Sequence, residues 1–166
     1  MFAISLIFSG IAFFLNGFLP LIEENDNNEI VIMNVLAGLI VTTLSMYGIF
    51  LAVDTGTLLT YCTLLLFGIT NLYVSAICIW DLSEQSLGWF SALIALITLV
   101  IGIYYVVIGN VALGVLWLIW MFIWASYFVS RALDKLHNTA SYVIMFEGVI
   151  ALVGVGILLL TGVLAI

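Results

Sequence analysis

Val111-Ala-Leu-Gly-Val-Leu-Trp-Leu-Ile-Trp-Met-Phe-Ile-Trp-Ala-Ser-Tyr-Phe-Val-Ser130 runs for twenty residues without a charge or a proline. At 1.5 Å per residue, about 20 apolar residues cross the roughly 30 Å of bilayer hydrocarbon. Inside this run Trp117, Trp120 and Trp124 stand at i, i+3 and i+7. At 100° per residue that spacing holds all three indoles within an arc of about 60° on one helix face. Tryptophans of membrane helices usually gather at the two interfaces, where the ring stays half wet. A row along two turns of one face instead predicts a lining surface, an apolar wall carrying a few N–H donors.

The rest of the chain has the same character. Of 166 residues, 66% are hydrophobic and only 7% charged, and the mean hydropathy is +1.41. Too little polar residue remains to cover a soluble core. Five further segments are long enough to span: Phe2 to Ile22, Ile30 to Val53, Thr57 to Trp80, Ser86 to Ile108 and Thr139 to Ile166. Strands of a membrane barrel alternate in polarity at every second residue. These segments are continuously apolar, so they read as helices, and the lipid demands that each satisfy its own backbone. The expected fold is an all-α bundle of six transmembrane helices, one domain over residues 1–166. Three spans followed by three would allow an inverted repeat, with Phe67-Gly68 in span three and Phe146-Glu147-Gly148 in span six as its slight trace. Met1-Phe-Ala-Ile-Ser-Leu-Ile-Phe lacks the basic flank of a signal peptide, so the first span is expected to be permanent.

Charge excludes several functions. The formal net charge is −7, and Arg131 and Lys135 supply the entire cationic complement of Lys and Arg. Nucleic-acid binding therefore has no electrostatic footprint. Both cations fall in the link between spans five and six, which the positive-inside rule places in the cytoplasm, with both termini outside. Cys62 and Cys78 lie sixteen residues apart in one helical segment and cannot pair with each other. His137 is the single histidine and falls in the polar link, where a solvated role is expected. No metal site is expected without converging ligands, and no cofactor is implied. An intramembrane enzyme would need paired carboxylates or a Ser–His set, and the spans hold one carboxylate and no histidine, so no catalytic residue is assigned.

That carboxylate is Glu147, about 12 Å into span six. A charge at such depth costs on the order of 2.5–3.5 kcal/mol, and no Lys or Arg lies in any span to pair with it. It reads either as a structural tie between helices or as an acceptor beside a pore. Asn16, Asn34 and Asn71 fall at a similar depth, which favours contact among the four. Each Asn taken alone reads as interhelical glue. Ser5, Ser9, Thr42, Thr43, Ser45 and Thr70 are expected to bond back to their own helices.

Taken together, an indole-lined face, no basic residue in a span and no energy-coupling element predict passive passage of a small, neutral, hydrogen-bonding solute. A proton-coupled transporter using Glu147, or a structural membrane subunit without a pore, are the rival readings.

Asn16-Gly17, Met33-Asn34, Leu65-Leu66-Phe67-Gly68 with Leu72-Tyr73, the Trp117/Trp120/Trp124 row and Glu147-Gly148 occur in this order along the chain. In that order and over essentially the whole length, the sequence resembles the AmiS/UreI family of bacterial urea and short-chain amide channels. The resemblance implies a homo-hexameric ring in the cytoplasmic membrane, each protomer with its own pore for urea, acetamide or formamide, lipid in the central hole and both termini outside. It implies that Trp117, Trp120, Trp124, Phe67, Phe13 and Asn71 line the passage, that Leu6 sits near a constriction, and that Glu147 supports the aromatic wall. Asn16 and Asn34 would add polar support. Two departures stand out. Acid-gated members carry a long, histidine-rich external loop between spans two and three, whereas here only Asp54-Thr55-Gly56 joins them. Without an external histidine the near-neutral proton switch has no titrating group, so gating by mild acid is not expected. A lining Tyr expected four residues after Phe67 is Asn71, a change expected to widen the pore or shift preference between urea and amides.

Overall fold

The computed structural model describes residues 1–22 and 27–164; Glu23 to Asp26 of the acidic link, and Ala165 and Ile166, lie outside the described residues. Helix α1 (Phe2–Phe18) closes through a 3-10 turn (Leu19–Leu21) that carries Pro20, and α2 (Asn27–Leu51), α3 (Thr55–Trp80) and α4 (Glu84–Val107) follow. Helix α5 (Val111–Tyr127) runs on into a π-helical stretch (Phe128–Ala132). The sixth span is composite: α6 (His137–Glu147), a π-helical stretch (Gly148–Gly154) and α7 (Val155–Leu160). Six of these helical runs are long and apolar enough to cross a bilayer.

Short polar links set where the spans begin. Asp54 caps α3 by accepting from the Thr57 backbone N–H at 2.9 Å and from its hydroxyl at 2.6 Å. Ser83 caps α4 and Asn110 caps α5, the latter accepting from Leu113 N at 3.2 Å. Each cap satisfies donors that a helix start leaves open. The sixth helix ends at Leu160 rather than continuing to Ile166. Gly162 adopts a left-handed φ of +73°, and the Leu164 N–H turns back to the Leu158 carbonyl at 3.0 Å. Thr161-Gly162 is thus a helix stop of the kind glycine provides.

The six spans are not equivalent. Over an apolar stretch of 18 residues in each span, 56, 50 and 44% are buried in the spans of α1, α3 and α5, against 33% in each of the other three. The odd-numbered spans therefore form an inner set and the even-numbered spans an outer one. The most extensive packing joins α2 to α3, α4 to α5, and α1 to the sixth span. That grouping makes three pairs of neighbours. Facing outward, α4 presents Leu93, Leu96, Val100, Ile103 and Val107, an apolar surface suited to acyl chains.

Close backbone approach fixes the α1 pairing. A Cβ on Gly10 would lie 2.5 Å from the Gly148 carbonyl oxygen, and a Cβ on Gly148 would lie 2.7 Å from that of Gly10. Small residues at a crossing allow this proximity in a membrane, where packing rather than water exclusion drives helix association. Replacing Gly10 or Gly148 with Val should therefore destabilise the bundle by about 1–3 kcal/mol or more. Thermal unfolding in detergent would read this, and a Gly148→Val protein melting like the parent would refute the close crossing.

Candidate functional site

Each inner helix sends one stripe of side chains toward the axis of the bundle. On α5 the stripe is Leu113, Trp117, Trp120, Trp124 and Tyr127, all buried. On α1 it is Leu6, Ser9, Phe13 and Asn16, and on α3 it is Phe67, Asn71 and Val74, again all buried. The spacings i, i+3 or i+4, i+7 place each set on one face of its helix.

Two cavities lie at opposite ends of these stripes. One, of about 350 Å³, is lined by Phe2 from the start of α1, by Asp54, Thr57 and Thr60 from the start of α3, and by Tyr105 and Asn110. There the Tyr105 hydroxyl lies 3.3 Å from Thr60 Oγ1. Hydrogen bonds from the Thr57 hydroxyl and backbone N–H hold the Asp54 carboxyl below the usual carboxylate range. The second cavity, of about 120 Å³, is lined by Asn16, Val74, Cys78, Tyr127 and, at its mouth, the ion pair of Arg131 with Glu84.

Between the cavities stands a column of aromatic rings. Tyr127, on the wall of the smaller cavity, lies 6.1 Å from Phe13, and Phe13 lies 5.9 Å from Phe67, measured between ring centroids. Phe67 meets Trp124 at 4.4 Å and Trp120 edge-on at 5.7 Å. Trp120 in turn touches Trp117 edge-on at 4.9 Å and Phe2, on the wall of the larger cavity, at 6.4 Å. These tilted and edge-on contacts are the favoured geometry of aromatic pairs. Leu6, Phe13, Phe67 and the three tryptophans have no exposed surface. The column fills the space between the cavities.

Hydrogen bonds fix two of the three indoles. Trp124 Nε1 donates to Thr70 Oγ1 of α3 at 3.3 Å, and Trp120 Nε1 donates to the Ala151 carbonyl of the sixth span at 3.0 Å. The third, Trp117 Nε1, is buried without a partner.

The polar residues divide in a way their common depth does not predict. Asn16 and Asn34 pair reciprocally, with amide-to-carbonyl distances of 3.0 and 2.6 Å, and Asn16 Nδ2 also donates to Tyr127 Oη at 3.1 Å. Neither Asn71 nor Glu147 joins them. The Asn71 amide is fully buried, and neither its nitrogen nor its oxygen has a partner. Glu147 faces a groove on the flank of the bundle with Leu116, Ile119, Phe146 and Ile150, and its buried Oε2 has no hydrogen bond. It touches neither end cavity and supports no indole by a hydrogen bond. The reason is angular: Gly148 is used against α1, and the preceding side chain points about 100° away. Of the small hydroxyls, Thr70 bonds back to Leu66 O at 2.7 Å as expected, whereas those of Ser5, Ser9, Thr42 and Ser45 are buried without partners. Cys62 and Cys78 are free, and the described residues hold no cluster of metal ligands.

Sequence reasoning overlooked Tyr127 and Phe2, the two ends of the column, although Tyr127 continues the tryptophan spacing by a further i+3 and Phe2 lies one turn before Leu6. The larger cavity was also missed. It is assembled from the ends of several helices and has no local signature.

An inner ring of three helices carrying a buried aromatic column between two cavities fits a membrane transport protein. The chain matches the AmiS/UreI family of transporters over residues 1–163, and it belongs to that family. Two solved structures of the Helicobacter pylori urea channel, one a cryo-EM structure of the closed state and one a crystal structure, share its fold. They superpose with a TM-score of 0.83 over 99% of this chain and 100% of theirs, at 21 and 22% identity. A protein of Mycolicibacterium smegmatis named as an amidate substrates transporter is 32% identical over 102 residues, and a transporter protein of Rhodococcus erythropolis named AmiS2 is 27% identical over 135 residues. These matches cover 60 and 80% of this chain, and the chain spans only 48 and 65% of the two relatives' own lengths.

The Asn16–Asn34 pair yields a direct test. Breaking it from one side leaves the remaining residue's buried amide oxygen unpaired, so Asn16→Leu or Asn34→Leu should each cost about 1–3 kcal/mol. The double variant should cost less than the sum of the two, with a coupling of about 0.5–2 kcal/mol in a double-mutant cycle. Strict additivity of the melting shifts would show that the two amides do not interact.

Proposed function

We propose that this protein is a passive channel for small neutral amides, urea, acetamide and formamide among them, acting as one channel domain over residues 1–166. Supporting this reading, the aromatic column joins a cavity at one face of the bundle to a cavity at the other. Leu6, Phe13, Phe67, Asn71, Trp117, Trp120 and Trp124 are its lining. Asn16 and Asn34 support that lining through Tyr127. The names of the relatives, an amidate transporter and a urea channel, point to the same solutes.

The bacterial cytoplasmic membrane is its proposed location. Arg131 and Lys135 orient the α5–α6 link to the cytoplasm and both termini outward, so the smaller cavity opens inward and the larger outward. Assembly into a hexamer follows the family resemblance. Urea and acetamide are flat and rich in hydrogen bonds, and a hydrocarbon passage would strip their hydration at a cost of several kcal/mol. Ring faces offer stacking surfaces, while indole and amide edges replace part of the lost hydration. Passage requires the rings to part, since the column fills its own space. Passivity rests on the position of Glu147, which reaches neither cavity.

Stopped-flow light scattering of proteoliposomes should show acetamide and urea entry faster than in empty vesicles. Equal rates would remove the channel reading. Accumulation of acetamide against its gradient under a proton motive force would replace it with coupled transport, whereas downhill flux that survives Glu147→Gln would support it.

The same vesicles test gating. Asp54 at the outer cavity has its carboxyl held below the usual range, so it keeps its charge throughout pH 7 to 5. His137 lies at the other end of the bundle, beyond both cavities, beside Asp134 at 3.0 Å. Lowering external pH from 7 to 5 is therefore expected to leave the flux unchanged, and a several-fold rise would overturn this expectation.

A further inference from the structure

We infer that Asn71 is the specificity-determining residue of the passage, an edge that pairs by two hydrogen bonds with the primary amide of the solute. The inference rests on the channel reading above and names the chemistry the passage selects.

Position comes first. On α3, Phe67, Asn71, Val74 and Cys78 follow at i, i+4, i+7 and i+11, within an arc of about 60°. Phe67 belongs to the aromatic column, and Val74 and Cys78 line the smaller cavity. Asn71 therefore stands at the step between them. Its neighbours serve other contacts: Leu72 packs on Gly38 of α2, Thr70 receives the Trp124 indole, and the Ser75 hydroxyl approaches the Val31 carbonyl at 3.4 Å. Around α3, Asn71 lies about 100° from Leu72 and about 40° from Ser75, within the arc of Phe67, Val74 and Cys78.

Chemistry comes second. The Asn71 amide is fully buried, and both its Nδ2 and its Oδ1 lack a partner. Leaving a buried polar group unpaired is unfavourable, and two such atoms on one side chain are rarely tolerated where an apolar residue would fit. Asn16 and Asn34 show what an asparagine that ties helices does in this bundle: they bond reciprocally, edge to edge. Asn71 offers the same edge, one donor beside one acceptor, with nothing in the protein set against it. A primary carboxamide or urea presents the complementary edge, an N–H on the same side as its carbonyl. A solute leaving the ring column for the smaller cavity would meet that edge at the point where its hydration is lowest.

The prediction concerns edge geometry rather than size. Acetamide and N-methylformamide are constitutional isomers. Acetamide has an N–H beside its carbonyl, whereas N-methylformamide in its preferred conformer places its single N–H on the far side and cannot close the two-point pair. Stopped-flow uptake of both isomers into proteoliposomes, corrected for empty vesicles, gives their flux ratio. The parent protein should prefer acetamide, and Asn71→Leu should reduce that preference by about fivefold or more. Because Leu fills a similar volume and removes two unpaired polar atoms, its melting temperature should equal or exceed that of the parent. An unchanged isomer ratio in Asn71→Leu would overturn the inference, as would a lowered melting temperature, which would make Asn71 a helix tie. Absence of protein-dependent flux for either isomer in the parent would instead defeat the channel reading itself.

Discussion

Two indole hydrogen bonds hold the centre of this protein in register. A tryptophan buried among membrane helices gains from a protein partner for its N–H, because lipid provides none. Trp124 finds the Thr70 hydroxyl on α3 and Trp120 finds the Ala151 carbonyl on the sixth span. Each bond spans two helices and orients one large ring; such contacts average about 0.6 kcal/mol and reach about 1.7 kcal/mol. Ala151 sits inside the π-helical stretch Gly148–Gly154. Widening a helix to i→i+5 bonding disturbs its carbonyl ladder and recurs at functional sites. The irregular sixth span and the indole of α5 are thus two parts of one contact.

From that register the division into inner and outer helices follows. With its rings pinned toward α3 and the sixth span, α5 must place Trp117 to Tyr127 inward, and α1 closes the remaining side through Gly10 against Gly148. The outward faces of the three outer spans are mainly apolar, with Leu, Ile and Val interspersed with Met46, Tyr47, Phe50, Trp89, Tyr104, Tyr142 and Phe146. A lipid-facing residue there is replaceable by any apolar neighbour of similar size. An inner residue is constrained by three helices at once.

Much of this was legible in the sequence, for identifiable reasons. Span number and span centres follow from unbroken apolar runs, and the inward face of α5 follows from the Trp117/Trp120/Trp124 spacing, because periodicity is a property of one helix. The Asn16–Asn34 pair was foreshadowed by depth alone, since adjacent spans bring equal depths side by side. Depth misled for Glu147, whose direction depends on the glycine contact at Gly148. It misled equally for Asn71, which shares an arc of α3 with Phe67, Val74 and Cys78 and bonds to neither Asn16 nor Asn34. The end of the sixth helix was misjudged because Thr161-Gly162 interrupts an apolar run that hydropathy alone reads through. The cavity of Asp54, Thr60 and Tyr105 was illegible because its walls come from helix ends far apart in the chain.

A passage for neutral solutes must solve a problem that an ion pore does not. With no net charge on the solute, selectivity has to come from the shape and placement of uncharged donors and acceptors, and binding must stay weak enough to release. A continuous file of hydrogen-bonding groups would pass water as readily as an amide. A wall of bare hydrocarbon would pass neither, since unpaired amide groups are costly to bury. The column here lies between these extremes. Its rings are apolar, two of its indole donors are already engaged, and the unpaired groups on the same stripes, Trp117 Nε1, the Ser9 hydroxyl and the Asn71 amide, are few and separated. Isolated polar points in an aromatic wall favour a molecule that carries its own flat π-surface and a hydrogen-bonding edge on the same small frame. Urea and the short amides, the solutes proposed above, have that form, and water, glycerol and simple ions lack one or both of its elements.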